Sequence, residues 1–441
     1  MTFNKTTCCS FALLALALSA CSDSDSNNGD VADFITPVKS LTMERSASKA
    51  SDSEVKSFVL NQYDLNFDLL RASADQIEQK NAMISTFSLQ TAFAMAWAGA
   101  QSTTYSDIKN ALNFDGSTHE VLNKLDVLIR SKNKEAIQDT DYQVDAVEVN
   151  TSNHIYLAPR EDWSSAWLDE LAYNYGAGIE STDFEADPEG IRKYINSVVS
   201  QDTHDRIKDL LPQGSIKSTT MAVLTNAIYF KSPWRDKVYQ SDVPLAFHKL
   251  DQSTVDVTQL NISKQYNYVA QNHYQAVSMP LRDNDFNVMF ILPDEGSFEK
   301  VQSTLDSKEM DEIFTNVTTK AIIDLKFPEF TFDTSLELSE PLKKLGMNTP
   351  FSMTDADFSK MTTEKNAFYI DKVFQKTFID LNKKGVEAAA ATAIVVGENS
   401  ADMDPPPRIN MTLDRPFFFV IYETSSRTPL FLGRVMDPSQ K

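Results

Sequence analysis

Cysteine is nearly absent from this sequence of 441 residues, which has only three, and all of them lie close to its start. Beyond Cys21 the chain can form neither a disulfide nor a thiolate metal site. Histidine is also scarce, and its five occurrences match no metal-ligand spacing and no G-x-S-x-G motif. We therefore predict no catalytic residues, no metal and no cofactor. The histidines, expected to be surface or structural residues, are His119, His154, His204, His248 and His273.

The chain has fewer positively charged than negatively charged residues. The chain has 41 lysines and arginines against 62 aspartates and glutamates, which gives a net charge of −21. Such a chain repels phosphate backbones and anionic lipid surfaces, so we predict no nucleic-acid partner. No stretch after residue 20 is long and apolar enough to span a bilayer. Hydrophobic residues make up 42% of the chain, which is enough for a large core, and we expect a monomer.

An export signal precedes the third cysteine. Lys5 is followed by the apolar run Phe11–Leu18 and then by small residues, so we predict a signal peptide over residues 1–20. It ends in Leu-Ser-Ala-Cys at Cys21, which resembles the lipobox of bacterial lipoproteins. The resemblance implies cleavage before Cys21 and acyl chains on its sulfur, which would hold the protein to a membrane. An ordinary signal peptide followed by a chance cysteine is the alternative.

Small polar residues dominate the segment from residue 21 to residue 53. This composition cannot bury enough apolar surface to fold, so we predict a flexible tether that leads to a folded domain over residues 54–441. Ser22 stands where an aspartate would retain a lipoprotein at the inner membrane, and this resembles sorting to the outer membrane. The sequence thus predicts a lipid-anchored protein of the cell envelope.

Two helices of different character begin the domain. A segment from Ser88 to Ala98 is apolar on every side, which predicts a helix in the centre of the protein. We expect it to end at Gly99, and we expect Thr104 and Asp107 to form the capping box of the next helix. Before it, apolar residues at spacings of four and three predict an amphipathic helix. These residues are Val55, Val59, Tyr63, Phe67 and Leu70.

Strands dominate the later part of the chain. Helices therefore cluster early and strands late, which favours an α+β fold in one unit over repeated βαβ units. No internal repeat and no linker rich in glycine or proline divides residues 55–437. The first strand is apolar at nearly every position, which is typical of a strand covered on both faces. The predicted strands are Ala222–Phe230, Phe286–Leu292, Phe417–Tyr422 and Leu430–Val435.

Four separated segments carry a family resemblance. The first runs from Asn81 through Ser85 to Ala100, and the second is Thr-Asn-Ala-Ile-Tyr-Phe-Lys from Thr225, followed by Trp234. The third is Lys-Lys-Gly-Val-Glu-Ala-Ala-Ala-Ala-Thr from Lys383, and the fourth begins Leu-Asp-Arg-Pro-Phe-Phe-Phe at Leu413 and ends in Gly-Arg-Val. In this order they resemble the core helix, central strand, reactive-loop hinge and C-terminal signature of the serpin family.

The resemblance implies a fold and a mechanism. The fold would be α+β, with helices packed around a large mixed sheet and smaller sheets, and with an exposed reactive loop. The protein would be a serine protease inhibitor, with papain-like cysteine proteases as further targets. A protease that attacks the loop would become trapped in a covalent acyl complex when the cleaved loop inserts into the sheet as a strand. The alternatives are a non-inhibitory binding or chaperone protein of the same fold, a hydrolase and a structural surface lipoprotein.

The hinge can also be understood from its residues. A segment that slides between two strands must donate every backbone N–H and have side chains small enough to pass. The segment has no proline before Pro405, and glycine at its start permits unusual backbone angles. In isolation the same residues would favour a short alanine-rich helix. The hinge residues are Gly385, Val386, Glu387, Ala388, Ala389, Ala390, Ala391 and Thr392.

A sheet-opening gate is implied near the core helix. Buried hydroxyls and amides must be hydrogen-bonded, and partners that can switch would let the sheet open. The gate residues are Ser85, Ser88, Asn226, Gln375 and Trp234. Gln375 stands where the family usually has histidine, and Lys383 stands where it usually has glutamate. Lys383 therefore cannot form the usual carboxylate–lysine pair at the top of the sheet.

The position of the reactive bond, which the protease would cleave, follows only from counting along the loop. Counting from Gly385 as the family does gives the bond Asn399–Ser400, but the loop before Pro416 is longer than usual, so other positions stay open. The acidic residues in this stretch disfavour a protease with an acidic cleft. The alternative residues are Val396, Glu398 and Met403, and the acidic residues are Glu398, Asp402 and Asp404.

Overall fold

The computed structural model describes residues 31–138, 143–316, 319–362, 368–387 and 406–441. The predicted signal peptide, the lipidation site Cys21 and the reactive loop from Ala388 onward to residue 405 lie outside the described residues. These include the predicted hinge residues Ala388, Ala389, Ala390, Ala391 and Thr392 and the candidate reactive-bond residues Val396, Glu398, Asn399, Ser400 and Met403.

Helices form much of the first half of the described chain. The two helices predicted there are confirmed, because the five apolar residues of the first and the whole central part of the second are buried. The helices are α1 (Asp52–Ala72), α2 (Ala74–Ile77), α3 (Thr86–Ala98), α4 (Ser102–Ala111), α5 (Thr118–Arg130), α6 (Ser165–Tyr175), α7 (Pro188–Asp202), α8 (Phe298–Thr304), α9 (Ser307–Asn316) and α10 (Ser339–Lys344).

Strands follow in two large sheets and two small ribbons, so the predicted α+β class is confirmed, as are the four predicted strands. The strands are β1 (Ile35–Val38), β2 (Ala82–Ile84), β3 (Ile137–Gln138), β4 (Gln143–Val144), β5 (Glu148–Leu157), β6 (Ile179–Thr182), β7 (Ala222–Pro233), β8 (Tyr239–Gln240), β9 (Leu245–His248), β10 (Thr254–Val257), β11 (Gln259–Ala270), β12 (Tyr274–Pro280), β13 (Phe286–Pro293), β14 (Thr319–Pro328), β15 (Phe330–Glu337), β16 (Lys372–Asn382), β17 (Gly385–Val386), β18 (Arg408–Thr412), β19 (Phe417–Glu423) and β20 (Pro429–Val435).

The main sheet has the strand order β1-β6-β5-β7-β17-β16-β15. The second sheet has the order β18-β14-β11-β12-β13-β19-β20-β2, and β8 pairs with β11 at its side. Helix α3 packs against β5 and β7 of the main sheet and against β20 of the second sheet. It is buried on nearly every side because it lies between the two sheets, as its uniformly apolar sequence predicts.

The start of α4 differs from the prediction. The helix begins at Ser102, and its N-cap residue Gln101 forms no side-chain cap. The Thr104 hydroxyl accepts a hydrogen bond from the Asp357 N–H at 2.8 Å, and the Asp107 carboxylate accepts one from the Thr349 N–H at 2.9 Å. The predicted capping box is therefore wrong, because both side chains bond distant backbone groups instead of the helix end.

The tether predicted for residues 21–53 needs correction from Val31 onward. Ile35–Val38 pairs antiparallel with β6 as the edge strand of the main sheet. The Arg45 guanidinium forms an ion pair with Asp126 of α5 at 2.7 Å. Ser51 and Glu54 form a capping box at the start of α1. Although its composition is polar, this segment is fixed because its backbone and side chains bond a core formed by the rest of the chain.

Candidate functional site

The two central strands of the main sheet, β7 and β16, are separated in one half of the sheet and paired in the other. In its lower half, β7 and β16 pair directly and in parallel, from Val223 with Lys372 to Asn226 with Gln375. In its upper half β17 lies between them, and Val386 faces Ser232 on one side. The two hinge residues of β17 thus occupy the top of a slot that is closed lower down.

Glycine is required at the first of these two positions. Gly385 has φ +153°, and a Cβ there would lie 2.3 Å from the Ser232 carbonyl oxygen and 2.6 Å from the Pro233 Cα. Only a residue without a side chain allows so close an approach to the neighbouring strand. Val386 follows in the core with 2% of its surface exposed, so its side chain already enters the buried layer of the sheet.

Glu387 follows β17 directly. Its N–H donates to the Asp380 carbonyl oxygen at 2.6 Å, which continues the pairing with β16 by one residue. Its φ is then +54°, in the left-handed region that non-glycine residues rarely adopt, so the chain turns out of the strand direction here. The carboxylate is buried and forms an ion pair with the guanidinium of Arg206. Burial raises the pKa of Glu387 to about 7 in spite of this partner.

The predicted gate lies below β17, at the lower closed half of the slot. The Ser85 N–H donates to Gln375 Oε1 at 3.1 Å, and Gln375 Nε2 donates back to the Ser85 carbonyl oxygen at 2.8 Å. Gln375 Nε2 also donates to Asn226 Oδ1 at 2.9 Å. Gln375, which replaces the usual histidine, therefore links β16 both to the N-terminus of α3 and to β7.

The same network continues to a third strand. Asn226 Nδ2 donates to Ser88 Oγ at 2.6 Å and to Asn153 Oδ1 at 2.8 Å. The Ser88 hydroxyl donates to Asn153 Oδ1 at 3.0 Å. Asn153 belongs to β5 and pairs directly with Asn226, and it is not among the predicted gate residues. Its signal was a polar run, Asn-Thr-Ser-Asn-His from Asn150, within an otherwise strand-like segment.

Trp234, the fifth predicted gate residue, lies outside the hydrogen-bond network that joins the other four. It follows β7 at the upper end of the sheet, whereas Asn226 lies lower on the same strand. Its Nε1 donates to the Asn382 carbonyl oxygen at 2.9 Å, and its backbone N–H donates to the Lys384 carbonyl oxygen at 3.0 Å. Trp234 thus holds the turn before the hinge against the end of β7.

Lys383 forms no hydrogen bond to a carboxylate of the described residues, but its positive charge acts on Glu329 and opposes the rise that burial causes in the pKa of that carboxyl group. Its Nζ donates to Gln240 Oε1 at 3.4 Å, a long hydrogen bond to a neutral acceptor. Among the described residues, the nearby opposite charge for Lys383 is that of Glu329, without a hydrogen bond between them.

The histidines of the described chain have ordinary structural contacts. Burial lowers the pKa of His119 to about 4, and its Nδ1 lies 2.6 Å from the Tyr175 hydroxyl. Within the described residues, histidines and carboxylates form no group of three suited to a metal ion. In the same part of the chain, no helix has the length and apolar character needed to cross a membrane.

Comparison with known proteins gives consistent results. The family model for "Serpin (serine protease inhibitor)" matches residues 60–438. Human Serpin B4 is 30% identical, over 82% of this chain and 94% of the relative. The horse leukocyte elastase inhibitor is 30% identical over 84% and 97%. A serpin-like protein of Thermococcus kodakarensis is also 30% identical, over 84% of both chains.

Solved structures share the fold. The thermophilic serpin tengpin in its native state matches with a TM-score of 0.74 and 24% identity, over 91% of this chain and 97% of tengpin. Uncleaved ovalbumin matches with a TM-score of 0.74 and 20% identity, over 86% of this chain and all of ovalbumin. Since both identities are low, these likenesses bear on the fold alone, and they confirm the arrangement of helices and sheets that the sequence motifs predict.

Proposed function

Because this chain belongs to the serpin family, we propose that it inhibits serine-type endopeptidases, and papain-like cysteine proteases as further targets, by suicide-substrate trapping. The protease attacks the carbonyl carbon of the reactive bond with its serine or cysteine, the amine of the next residue leaves with a proton, and an acyl-enzyme forms. The cleaved loop then inserts into the main sheet before water hydrolyses the acyl bond. The inhibitor itself supplies no catalytic group, because the chemistry belongs to the target.

One observation carries this proposal: the slot between β7 and β16 already holds the first two hinge residues. Val386 pairs with Ser232 of β7 and with Leu381 of β16. If insertion continues in this register, Thr392 would lie between Asn226 and Gln375. These are the two residues whose amides now join the strands directly. The threonine hydroxyl can both donate and accept, so it would replace the hydrogen bond that insertion breaks.

The alternation of side chains supports the same path. Val386 belongs to the central core cluster that also contains Phe230, whereas Glu387 faces Arg206 on the other side of the sheet. Residues of even number therefore enter the core as the strand lengthens, and those are Ala388, Ala390 and Thr392. Small side chains at these positions let the strand enter without displacing the packed layer around α3.

A protease panel tests the proposal. The full chain is incubated with serine and cysteine proteases and run on a denaturing gel. We expect a covalent band at the summed mass of protease and inhibitor for at least one protease, together with a released C-terminal peptide. Cleavage without such a band for every protease that cuts the loop would contradict trapping and leave the non-inhibitory alternative.

We further propose that Cys21 is lipid-modified and that the protein is anchored in the cell envelope at the outer membrane. The support is the Leu-Ser-Ala-Cys sequence after a short apolar run, with Ser22 following. The described fold begins at Val31, ten positions after Cys21. Ten extended residues span at most about 36 Å, so this anchor would keep the folded domain close to the membrane.

A further inference from the structure

Three lysines surround a cavity at the top of the main sheet. The cavity has a volume of about 310 Å³, and its lining includes Lys237, Lys383 and Lys384. No hydrogen bond joins their ammonium groups to a carboxylate of the described residues, although Glu329 lies near enough to Lys383 for their charges to interact. Lys237 Nζ lies 5.1 Å from the centre of the Tyr239 ring, and Lys383 Nζ reaches only Gln240. These three cations form a local concentration of positive charge in a chain of net charge −21.

The only carboxylate that lines the cavity among the described residues is already engaged. Asp236 accepts hydrogen bonds from Arg235 at 2.7 Å and 3.0 Å and from the Tyr266 hydroxyl at 3.1 Å. The negative charge of Asp236 is therefore paired with the guanidinium of Arg235. The three lysines keep an excess of positive charge toward the cavity, which favours an anionic ligand with more than one charge.

The cavity walls belong to two different parts of the fold. One wall is the hinge turn, Asn382–Lys384, which connects β16 to β17. The other wall is the segment from Trp234 to Gln240, whose strand β8 pairs with β11 of the second sheet. A ligand that contacts lysines on both walls would bridge the hinge turn to the second sheet.

We propose that this cavity binds a small oxyanion with at least two negative charges, carried by phosphate or sulfate groups. The size is suited to a small molecule, since a volume near 300 Å³ is at the lower end of ligand pockets. Lysines bind such groups as flexible point charges. Trp234 and Tyr239 provide aromatic walls of the cavity.

The bound anion stabilises the hinge in its inserted position. Two hydrogen bonds from Trp234, to Asn382 and to Lys384, already hold the hinge turn against the end of β7. An anion bound by Lys237 and by the two lysines of the turn would be a second connection that holds the hinge turn in place. Anion binding at this cavity does not depend on the proposed inhibitory activity. Any effect of the anion on protease trapping, however, rests on the proposed function.

Calorimetry with pyrophosphate tests the site. The full chain in detergent is titrated in metal-free buffer of low ionic strength. We expect one bound pyrophosphate per chain and an affinity that falls as salt is added. The double variant Lys383→Gln/Lys384→Gln should bind at least about tenfold more weakly, and Lys237→Gln on the opposite wall should also weaken binding. Absence of binding by the unaltered chain at low salt would overturn the proposal.

A matched control separates the site from net charge. Lys80→Gln/Lys109→Gln removes the same two charges far from the cavity and should change the affinity less than about twofold. Equal weakening by both double variants would overturn the proposal. Sulfate should compete with pyrophosphate and acetate at equal ionic strength should not, and equal competition by both would contradict the requirement for two charges.

Hydrogen exchange tests the link to the hinge. Bound pyrophosphate should slow amide exchange of residues 384–387 in the unaltered chain and leave it unchanged in Lys383→Gln/Lys384→Gln. Binding without any change in exchange at the hinge would contradict the proposed stabilisation. Calorimetry and hydrogen exchange use no protease, so a negative result in either would not bear on the inhibitory function.

Discussion

Val386 is the hinge side chain that the sheet buries first, and it is 2% exposed. Arginine at this position would bury an unpaired guanidinium or keep the hinge outside the sheet. Insertion competes with hydrolysis of the acyl-enzyme, so a barrier raised by about 3 kcal/mol would slow insertion about a hundredfold. We expect Val386→Arg to be cleaved as a plain substrate. The measurement is the number of inhibitor molecules consumed per protease molecule inactivated.

Ala389→Glu is the control for this variant. In an inserted loop, strand alternation would put residue 389 on the same face as Glu387, where the sheet already accommodates a carboxylate beside Arg206. We therefore expect a smaller rise in stoichiometry than for Val386→Arg. An unchanged stoichiometry and an intact covalent band for Val386→Arg would refute insertion through this slot.

We expect the carboxyl group of Glu387 to make the stability of the fold depend on pH. Its pKa of about 7 in the fold exceeds the usual 4.5, and the charged groups around it are Arg206, Lys231 and Asp380. Because the fold raises the pKa of an acid, the folded state binds the proton more tightly, and its stability falls as pH rises from about 4.5 through 7. Denaturant unfolding at several pH values should show this loss, with little further change above pH 7.

Glu387→Gln should remove that dependence. The amide keeps the size of the side chain and cannot ionise, so the difference in stability between this variant and the unaltered chain should grow between pH 5 and pH 7 and then level off. Parallel stability curves over this range would mean that the carboxylate of Glu387 is not responsible for the pH dependence.

At the scale of elements, the gate joins three strands to one helix. Gln375 connects β16 to α3 and β7, and Asn226 connects β7 to β5. In Gln375→Leu, the Ser85 N–H and the Asn226 side-chain oxygen would lose their partner in a buried layer, at about 1–3 kcal/mol for each group. We expect the lower half of the slot to open more readily. Inhibitory activity should then decay faster during mild heating.

Gln375→His is the matched variant, because imidazole keeps one donor and one acceptor in the gate. It should retain activity for longer than Gln375→Leu. If both variants decayed at the rate of the unaltered chain, the hydrogen bonds of the gate would not control opening between β7 and β16.

At the scale of the whole molecule, an inserted loop would complete the main sheet. Continued register from Val386 would bring the new strand as far as Val396 opposite Ala222, at the lower end of β7. Its residues would hydrogen-bond alternately to β7 and to β16, which now pair with each other over only four positions. We expect loop cleavage to raise the unfolding temperature by at least about 10 °C in calorimetry. Equal unfolding temperatures before and after cleavage would mean that the loop does not insert.

The location of the molecule depends on one side chain near its start. Cys21→Ala removes the sulfur that would carry the acyl chains, so we expect this variant in the soluble fraction. Cys8→Ala is the matched control and should remain with the membrane, because residue 8 lies within the predicted signal peptide. Recovery of Cys21→Ala in the membrane pellet would contradict lipid anchoring at this residue.

The sequence by itself determined the elements whose pattern is local. The spacing of apolar residues predicts α1, and the uniformly apolar segment after Ser88 predicts α3 as a buried helix. The strand from Ala222 can be predicted because both of its faces are apolar. The polar residues of the gate and the small residues of the hinge could also be selected, because their chemistry is unusual for a buried layer and for a loop.

Only the tertiary structure decided which distant groups meet. Asn153 joins the gate because β5 pairs with β7, and Ile35–Val38 becomes a strand because β6 offers an unpaired edge. Thr104 bonds Asp357 instead of capping a helix. The tertiary structure also buries Glu387 beside Arg206 and groups three lysines at the top of the sheet. Local sequence determines the preference of each segment, but the partners of a polar group depend on backbone pairings across the whole chain.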